Sequence, residues 1–270
     1  MKTSNLSSRT LWASVLVYLV SLASPGVAEA SGGKGCPAGM APVKAGSYTV
    51  TRRGYPQLVS VKRFCIDVES VTVRAYGRCV KEGACRPTYS TTRWNDQDAN
   101  VVGTDASFAC NADRKDRQDH PVNCVTFDQA TAYCASLGKR LPAENEWEWA
   151  ARGARKASYP WGEAAPRDDQ LCWSASAKRD GTCPVGQFAA GESPQGVKGL
   201  SGNVSNWTST AYATSLSVYD CSGLRACRIV RGSDFWATRP EQVSSSARTV
   251  AAMVGLNREA GIGFRCAADR

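Results

Sequence analysis

Gly138-Lys139-Arg140-Leu141-Pro142-Ala143-Glu144-Asn145-Glu146-Trp147-Glu148-Trp149-Ala150-Ala151-Arg152-Gly153 is the stretch whose reading decides the fold. It predicts a helix over 144–152. Pro142 stands just outside the start, Glu144 and Glu146 occupy the positive end, and Arg152 and Gly153 close it. Upstream, Thr126 followed by Gln129 is a capping-box pattern that opens a helix over 127–137, stopped at Gly138. Thr72 caps a shorter helix over 73–82, with Val73, Tyr76 and Val80 at helical spacing and Gly83 at its end. Tyr48-Thr49-Val50 and Leu58-Val59-Ser60-Val61 alternate apolar and polar residues as strands do. Residues 86–119 read as a long irregular surface loop pinned by Cys110. Beyond Gly162 helical periodicity ends, and Gly, Ser, Thr and Trp surround short β-like pieces. One α+β domain fits this order.

The composition narrows the class. The 270 residues carry a formal charge of +9, twelve cysteines and a single histidine. With 43% hydrophobic and 21% charged residues the chain is globular rather than disordered. No CxxC pair occurs, which excludes zinc-finger spacing, and His120 alone cannot build a site that needs several imidazoles. Lys2 and Arg9 precede an apolar run from Leu11 to Ala23, and Ala28-Glu29-Ala30 fits a cleavage site. Residues 1–30 therefore read as a secretory signal peptide, with a retained signal anchor as the alternative, and 31–270 as one domain. Localisation is expected to be exported, periplasmic or extracellular, and no later stretch suits a membrane span. Twelve cysteines in an exported chain suggest six disulfides. Without residues 1–30 the chain keeps 31 basic and 23 acidic residues, interleaved, with no dense basic run. Nucleic acid is not an expected partner, whereas acidic surfaces or glycans are compatible with the charge.

Several ordered motifs carry a resemblance. His120-Pro121-Val122, Val125-Thr126-Phe127 and Ala132-Tyr133-Cys134 come first, followed by the stretch from Gly138 to Gly153 and Tyr159-Pro160-Trp161-Gly162. Gly202-Asn203-Val204-Ser205-Asn206-Trp207, Arg231-Gly232-Ser233, Arg248 and Gly263-Phe264-Arg265-Cys266 complete the series. Together they resemble the sulfatase-modifying-factor (formylglycine-generating enzyme) domain over about Cys36 to Arg270. The resemblance implies a C-type-lectin-like fold with little regular structure. Trp147, Trp149, Trp161 and Trp207 are expected to pack a core with their indole N–H groups bonded inside. Arg140, Arg152, Arg248 and Arg265 are expected to clamp carbonyls and carboxylates. It also implies a disulfide between Cys134 and Cys266. Sequence proximity suggests Cys79–Cys85, Cys172–Cys183 and Cys221–Cys227, which leaves Cys36–Cys65 and Cys110–Cys124.

The chemistry implied by the resemblance is oxidation of a substrate cysteine to formylglycine by copper(I) on two thiolates. Those cysteines should follow Arg231-Gly232-Ser233, and here the positions fall at Ala237 and near Gln242. No cysteine lies between Cys227 and Cys266, so copper is not an expected cofactor. Cys221 and Cys227 have a similar separation, yet they precede the motif and read as a disulfide. The element from Gly202 to Trp207 resembles one that supplies calcium ligands in relatives. Asn203 keeps an amide oxygen, and Asn206 replaces a glutamate, which implies a weakened calcium site on Asn203 and Asn206. At Ala143 the family carries a threonine; its loss should cost about 1 kcal/mol of helix stability. No GxSxG, HExxH or Walker sequence occurs.

These readings lead to an exported sulfatase-modifying-factor-like protein without the copper-cysteine pair, acting as a binding or accessory module. The expected binding surface is the loop around Asp234, Phe235, Trp236 and Arg239, with Trp236 serving either this patch or the core. Its ligand would be a protein, peptide or glycan. The competing reading is an oxidase or maturation enzyme of the same superfamily that uses a non-standard site.

Overall fold

A computed structural model describes Met1 and residues 35–52, 55–92, 106–212, 227–251 and 258–270. The predicted signal segment after Met1 lies outside the described residues, as does Cys221. Three α-helices are formed among them: α1 (Val73–Lys81), α2 (Phe127–Ser136) and α3 (Glu144–Arg152). Nine strands accompany the helices: β1 (Met40–Val43), β2 (Gly46–Arg52), β3 (Tyr55–Val61), β4 (Phe64–Asp67), β5 (Ser205–Ala211), β6 (Arg228–Arg231), β7 (Arg248–Ala251), β8 (Ile262–Gly263) and β9 (Ala267–Asp269). Among the described residues the predicted long loop holds two 3-10 turns, Ser107–Ala109 and Lys115–Arg117.

The helix starts follow the expected chemistry. Thr72 Oγ1 accepts from Ala75 N at 3.1 Å. At α2 the box is reciprocal: Gln129 N donates to Thr126 Oγ1 and Thr126 N to Gln129 Oε1. At α3 only half of it exists. Ala143 N donates to Glu146 Oε2 at 2.8 Å, but Ala143 has no hydroxyl to receive a backbone N–H in return.

β2 and β3 pair from Gly46↔Val61 to Arg52↔Tyr55 and turn Tyr48, Val50, Val59 and Val61 inward onto α3. Tyr48 stacks on Trp149 at 5.6 Å. Gly46 lies so close that a Cβ there would come within 2.2 Å of the Trp149 ring, so a larger residue would push the hairpin off the helix. β4 joins β1 to β9 in an antiparallel sheet. The remaining sheet runs β7-β6-β5-β8 and includes a parallel pair, Ser205↔Ile262 and Asn206↔Gly263. Sequence periodicity did not foretell that pair, because β8 is two residues long.

A second core packs α1 and α2 against Phe264, with Tyr76 and Tyr133 stacked at 5.4 Å. Trp147, Trp149 and Trp207 are buried, and each indole N–H has an internal acceptor: Asn206 Oδ1, the Lys44 carbonyl and the Val125 carbonyl. Trp161 is only half-buried and donates to the Ala164 carbonyl.

Disulfides Cys36–Cys65, Cys79–Cys85, Cys110–Cys124, Cys134–Cys266 and Cys172–Cys183 tie these layers, each an expected pair. Cys227 is also disulfide-bonded, and no described cysteine is free. Cys134–Cys266 spans 132 residues and Cys79–Cys85 only 6. Loop-closure entropy makes the first worth about 5 kcal/mol and the second about 2. No described helix is long and apolar enough to cross a membrane.

Candidate functional site

The backbone entering the candidate loop is held by buried charge. Arg231, the last residue of β6, is 1% exposed, and its guanidinium meets Glu148 at 3.0 Å and Glu144 at 3.7 Å from α3. Burial pulls the Arg231 pKa below the ordinary arginine value, and the two carboxylates pull it back. Arg248 pairs with Glu144, Arg152 with Glu148, and Arg140 with Glu146 and Asp269. These arginines are clamps, as expected. The Arg231 pairing joins residues far apart in sequence and carries no local pattern that would have revealed it.

Beyond Gly232 the chain turns on Asp234. One carboxylate oxygen accepts from Trp236 N at 2.9 Å, and the Asp234 carbonyl accepts from Ala237 N at 3.3 Å. The other oxygen presses against Gly261, where a Cβ would come within 2.4 Å of it. The carboxyl faces inward, and burial pushes its pKa up to about 6, only partly offset by the Trp236 N–H.

Phe235 corrects the sequence expectation. It is fully buried, packed with the Cys172–Cys183 and Cys110–Cys124 disulfides and Ala260, and so cannot face a ligand. Its N–H donates to the Asn203 carbonyl, and its carbonyl accepts from Ser174 Oγ. Trp236 packs on it with the rings tilted, 4.2 Å between centres, and remains 37% exposed. Arg239 is exposed as well. The surface part of the patch is therefore Trp236 and Arg239, anchored from below by Asp234 and Phe235.

The residues at and near which the resemblance places thiolates have other work. Ala237 is 3% exposed and packs with Leu171, Trp173 and Val243. Gln242 folds its Oε1 back to accept from both Thr238 N and Arg239 N, at 2.9 and 3.0 Å. An apolar contact and an amide clamp thus close the loop between Arg231 and Val243.

The calcium expectation also meets a correction. Asn203 sits at φ +64°, and its amide exchanges two hydrogen bonds with the backbone of Cys183. Asn206 Oδ1 accepts from Trp147 Nε1 at 3.0 Å and from Arg265 Nε at 2.8 Å. Both amide oxygens are already taken, one of them by a guanidinium, and the donor set does not fit a divalent cation. Arg265 is wholly buried and also donates to the carbonyls of Asp67, Val68, Lys198 and Gly199. Its positive charge fills the centre of this element. Among the described residues no group of three or more His, Cys, Asp or Glu is placed to hold a metal.

His120 belongs to a polar knot that the sequence did not disclose. Asn111 donates to Thr182 Oγ1, which lies 2.9 Å from His120 Nδ1, while Asn123 bonds to Asn111 N and to the Ala109 and Ala260 carbonyls. Burial and the neighbouring Arg117 push the His120 pKa down to about 4, so the ring is neutral at pH 7. The flanking Cys110 and Cys124 were the available signal: a disulfide loop with an asparagine at each end.

An α+β domain of little regular structure, knotted by disulfides and by arginine clamps around the element at Gly202–Trp207, is the class that this geometry defines. The chain belongs to the sulfatase-modifying factor enzyme 1-like domain family, whose model matches residues 29–270. It is 32% identical over 164 residues to the inactive C-alpha-formylglycine-generating enzyme 2 of Bos taurus, covering 57% of this chain and 52% of that one. It is 33% identical over 177 residues to the formylglycine-generating enzyme of Thermomonospora curvata, covering 57% of each. A shorter match, 42% over 96 residues, joins it to the hercynine oxygenase of Mycolicibacterium thermoresistibile, covering 34% of this chain and 21% of that one. The chain thus spans about half the length, or less, of the curated relatives it matches. Among solved structures, CarF superposes with a TM-score of 0.62 at 16% identity, covering 87% of this chain and 99% of CarF. Treponema denticola variable protein 1 gives 0.61 at 17%, covering 86% and 95%. The fold is C-type-lectin-like.

Proposed function

We propose that this protein is an exported, non-oxidase member of its family that works as a binding or accessory module. The observation that carries the reading is the loop from Arg231 to Val243, where an apolar Ala237 stands at the first thiolate position and a self-clamped Gln242 near the second. Copper(I) needs soft ligands, and an alanine methyl and an amide offer none. That the bovine relative is named an inactive formylglycine-generating enzyme supports a family branch without the oxidation. Five disulfides among the described residues support an oxidising, exported setting.

The binding surface in this reading is Trp236 with Arg239, a ring and a guanidinium on a rigid base, suited to a protein, peptide or glycan ligand. The Phe235 ring under Trp236 and the Asp234 turn hold the exposed indole in one orientation, which lowers the ordering cost of binding. The test is a panel of secreted-protein peptides and glycans probed with the wild type and with Trp236→Ala and Arg239→Ala. The reading expects a ligand whose affinity falls about tenfold or more in Trp236→Ala with the folded state intact. If every ligand found binds both variants as tightly as it binds the wild type, the function lies elsewhere.

A further inference from the structure

One cleft lies away from that loop. It has a volume of about 1020 Å³ and forms where the turn after β3, the start of α3 and the end of the chain meet. Lys62 and Arg63 come from the turn, Arg140 from the segment before α3, and Asp269 and Arg270 from the end of β9. Their charges are unevenly committed. Glu146 gives both oxygens to Arg140 at 2.7 Å and one of them also to Ala143 N. Asp269 meets the same guanidinium at 2.6 Å. The two acidic side chains of the cleft are thus spent on one arginine. Lys62, Arg63 and Arg270 are exposed and form no ion pair among the described residues.

We infer that this cleft is a second binding site, for an anionic oligosaccharide bearing sulfate or carboxylate groups. Two unpaired guanidiniums and an ammonium on one rim match such groups, and the guanidinium fork donates to two oxygens of a sulfate or carboxylate at once. The walls between them are small, Ala45, Val61 and Ala143, and provide no deep slot for a peptide side chain. A sugar chain is already stiff and presents its anions at regular intervals. An acidic peptide lying in so open a cleft would lose about 1–2 kcal/mol of backbone entropy for each residue fixed. The Arg140 cluster holds the floor rigid, so the unpaired cations project from a fixed frame.

The experiment titrates a heparin-derived octasaccharide, its desulfated form and a polyglutamate peptide into the intact protein by calorimetry at low salt. It uses the wild type, the triple variant Lys62→Gln/Arg63→Gln/Arg270→Gln, and a control triple, Lys115→Gln/Arg155→Gln/Lys178→Gln. The control removes the same charge from other exposed sites. The cleft triple should weaken octasaccharide binding about tenfold and the control less than twofold, and the affinity should fall as salt rises. Equal losses in the two triples would show general charge attraction and overturn the site. Polyglutamate binding as tightly as the octasaccharide would overturn the choice of occupant. No binding of the octasaccharide to the wild type would overturn both. Trp236→Ala, measured alongside, should leave this affinity unchanged; a fall there would mean that the octasaccharide is read by the loop and not by the cleft.

Discussion

Arg265 and Gln242 make opposite uses of the same device, a side chain folded back onto backbone groups. Arg265 is buried under six acceptors that come from β4 and its following turn, from 198–199 and from Asn206, so one residue joins four segments. Gln242 bonds only to its own loop, at Thr238 and Arg239, and is exposed to solvent. The first region is a frame built from distant segments. The second is the loop where the family resemblance places thiolates, and here it is closed by residues that need only hold a turn.

That contrast can be broken by substitution. Arg265→Met should destabilise the protein by about 3–5 kcal/mol in urea unfolding, because the acceptors stay buried without a donor and Glu69 and Asp67 lose their cationic neighbour. Gln242→Ala should cost only about 1 kcal/mol, since water can reach the two freed N–H groups. Similar losses from the two would end the distinction between frame and loop. In the opposite direction, Ala143→Thr should raise stability by about 1 kcal/mol by completing the capping box that Glu146 already half supplies. No gain in the unfolding midpoint would mean that the α3 entry has no room for the hydroxyl.

Two further effects concern pH, and they oppose each other. The folded Asp234 pKa is raised from 3.8 to about 6, so the folded state holds more protons than the unfolded chain between those values. Stability from this group is present at low pH and falls as pH rises from about 4 through about 6. His120 is lowered from 6.5 to about 4, so its contribution is full above 6.5 and falls as pH drops towards 4. In the wild type the two slopes partly cancel. Asp234→Asn should leave a protein that loses stability on acidification more steeply than the wild type, and His120→Gln one that loses less. Parallel profiles for all three would contradict both shifts.

The sequence carried the frame better than the loop, for a physical reason. Thr126 with Gln129, Pro142 before Glu144, and Gly153 act within a few residues of themselves, so α2 and α3 lie within a residue of where they are expected. The β2–β3 alternation was legible on the same grounds. Phe235 and Trp236 were not separable, because adjacent aromatics in a loop differ only by which one finds a core, here the disulfides at Cys110 and Cys172. Asn203 and Asn206 were misread because an amide oxygen that can ligate a metal can equally accept an N–H. The choice depended on Cys183 and Arg265, which are distant in sequence.

The central claim is that this family member has no copper-thiolate site, and a thiol and copper count tests it most directly. The denatured, unreduced protein should show no free thiols, and the native protein should bind no stoichiometric Cu(I) in competition with a chromogenic chelator. Two reactive thiols per chain together with one tightly held Cu(I) would contradict the account and return the protein to the oxidases.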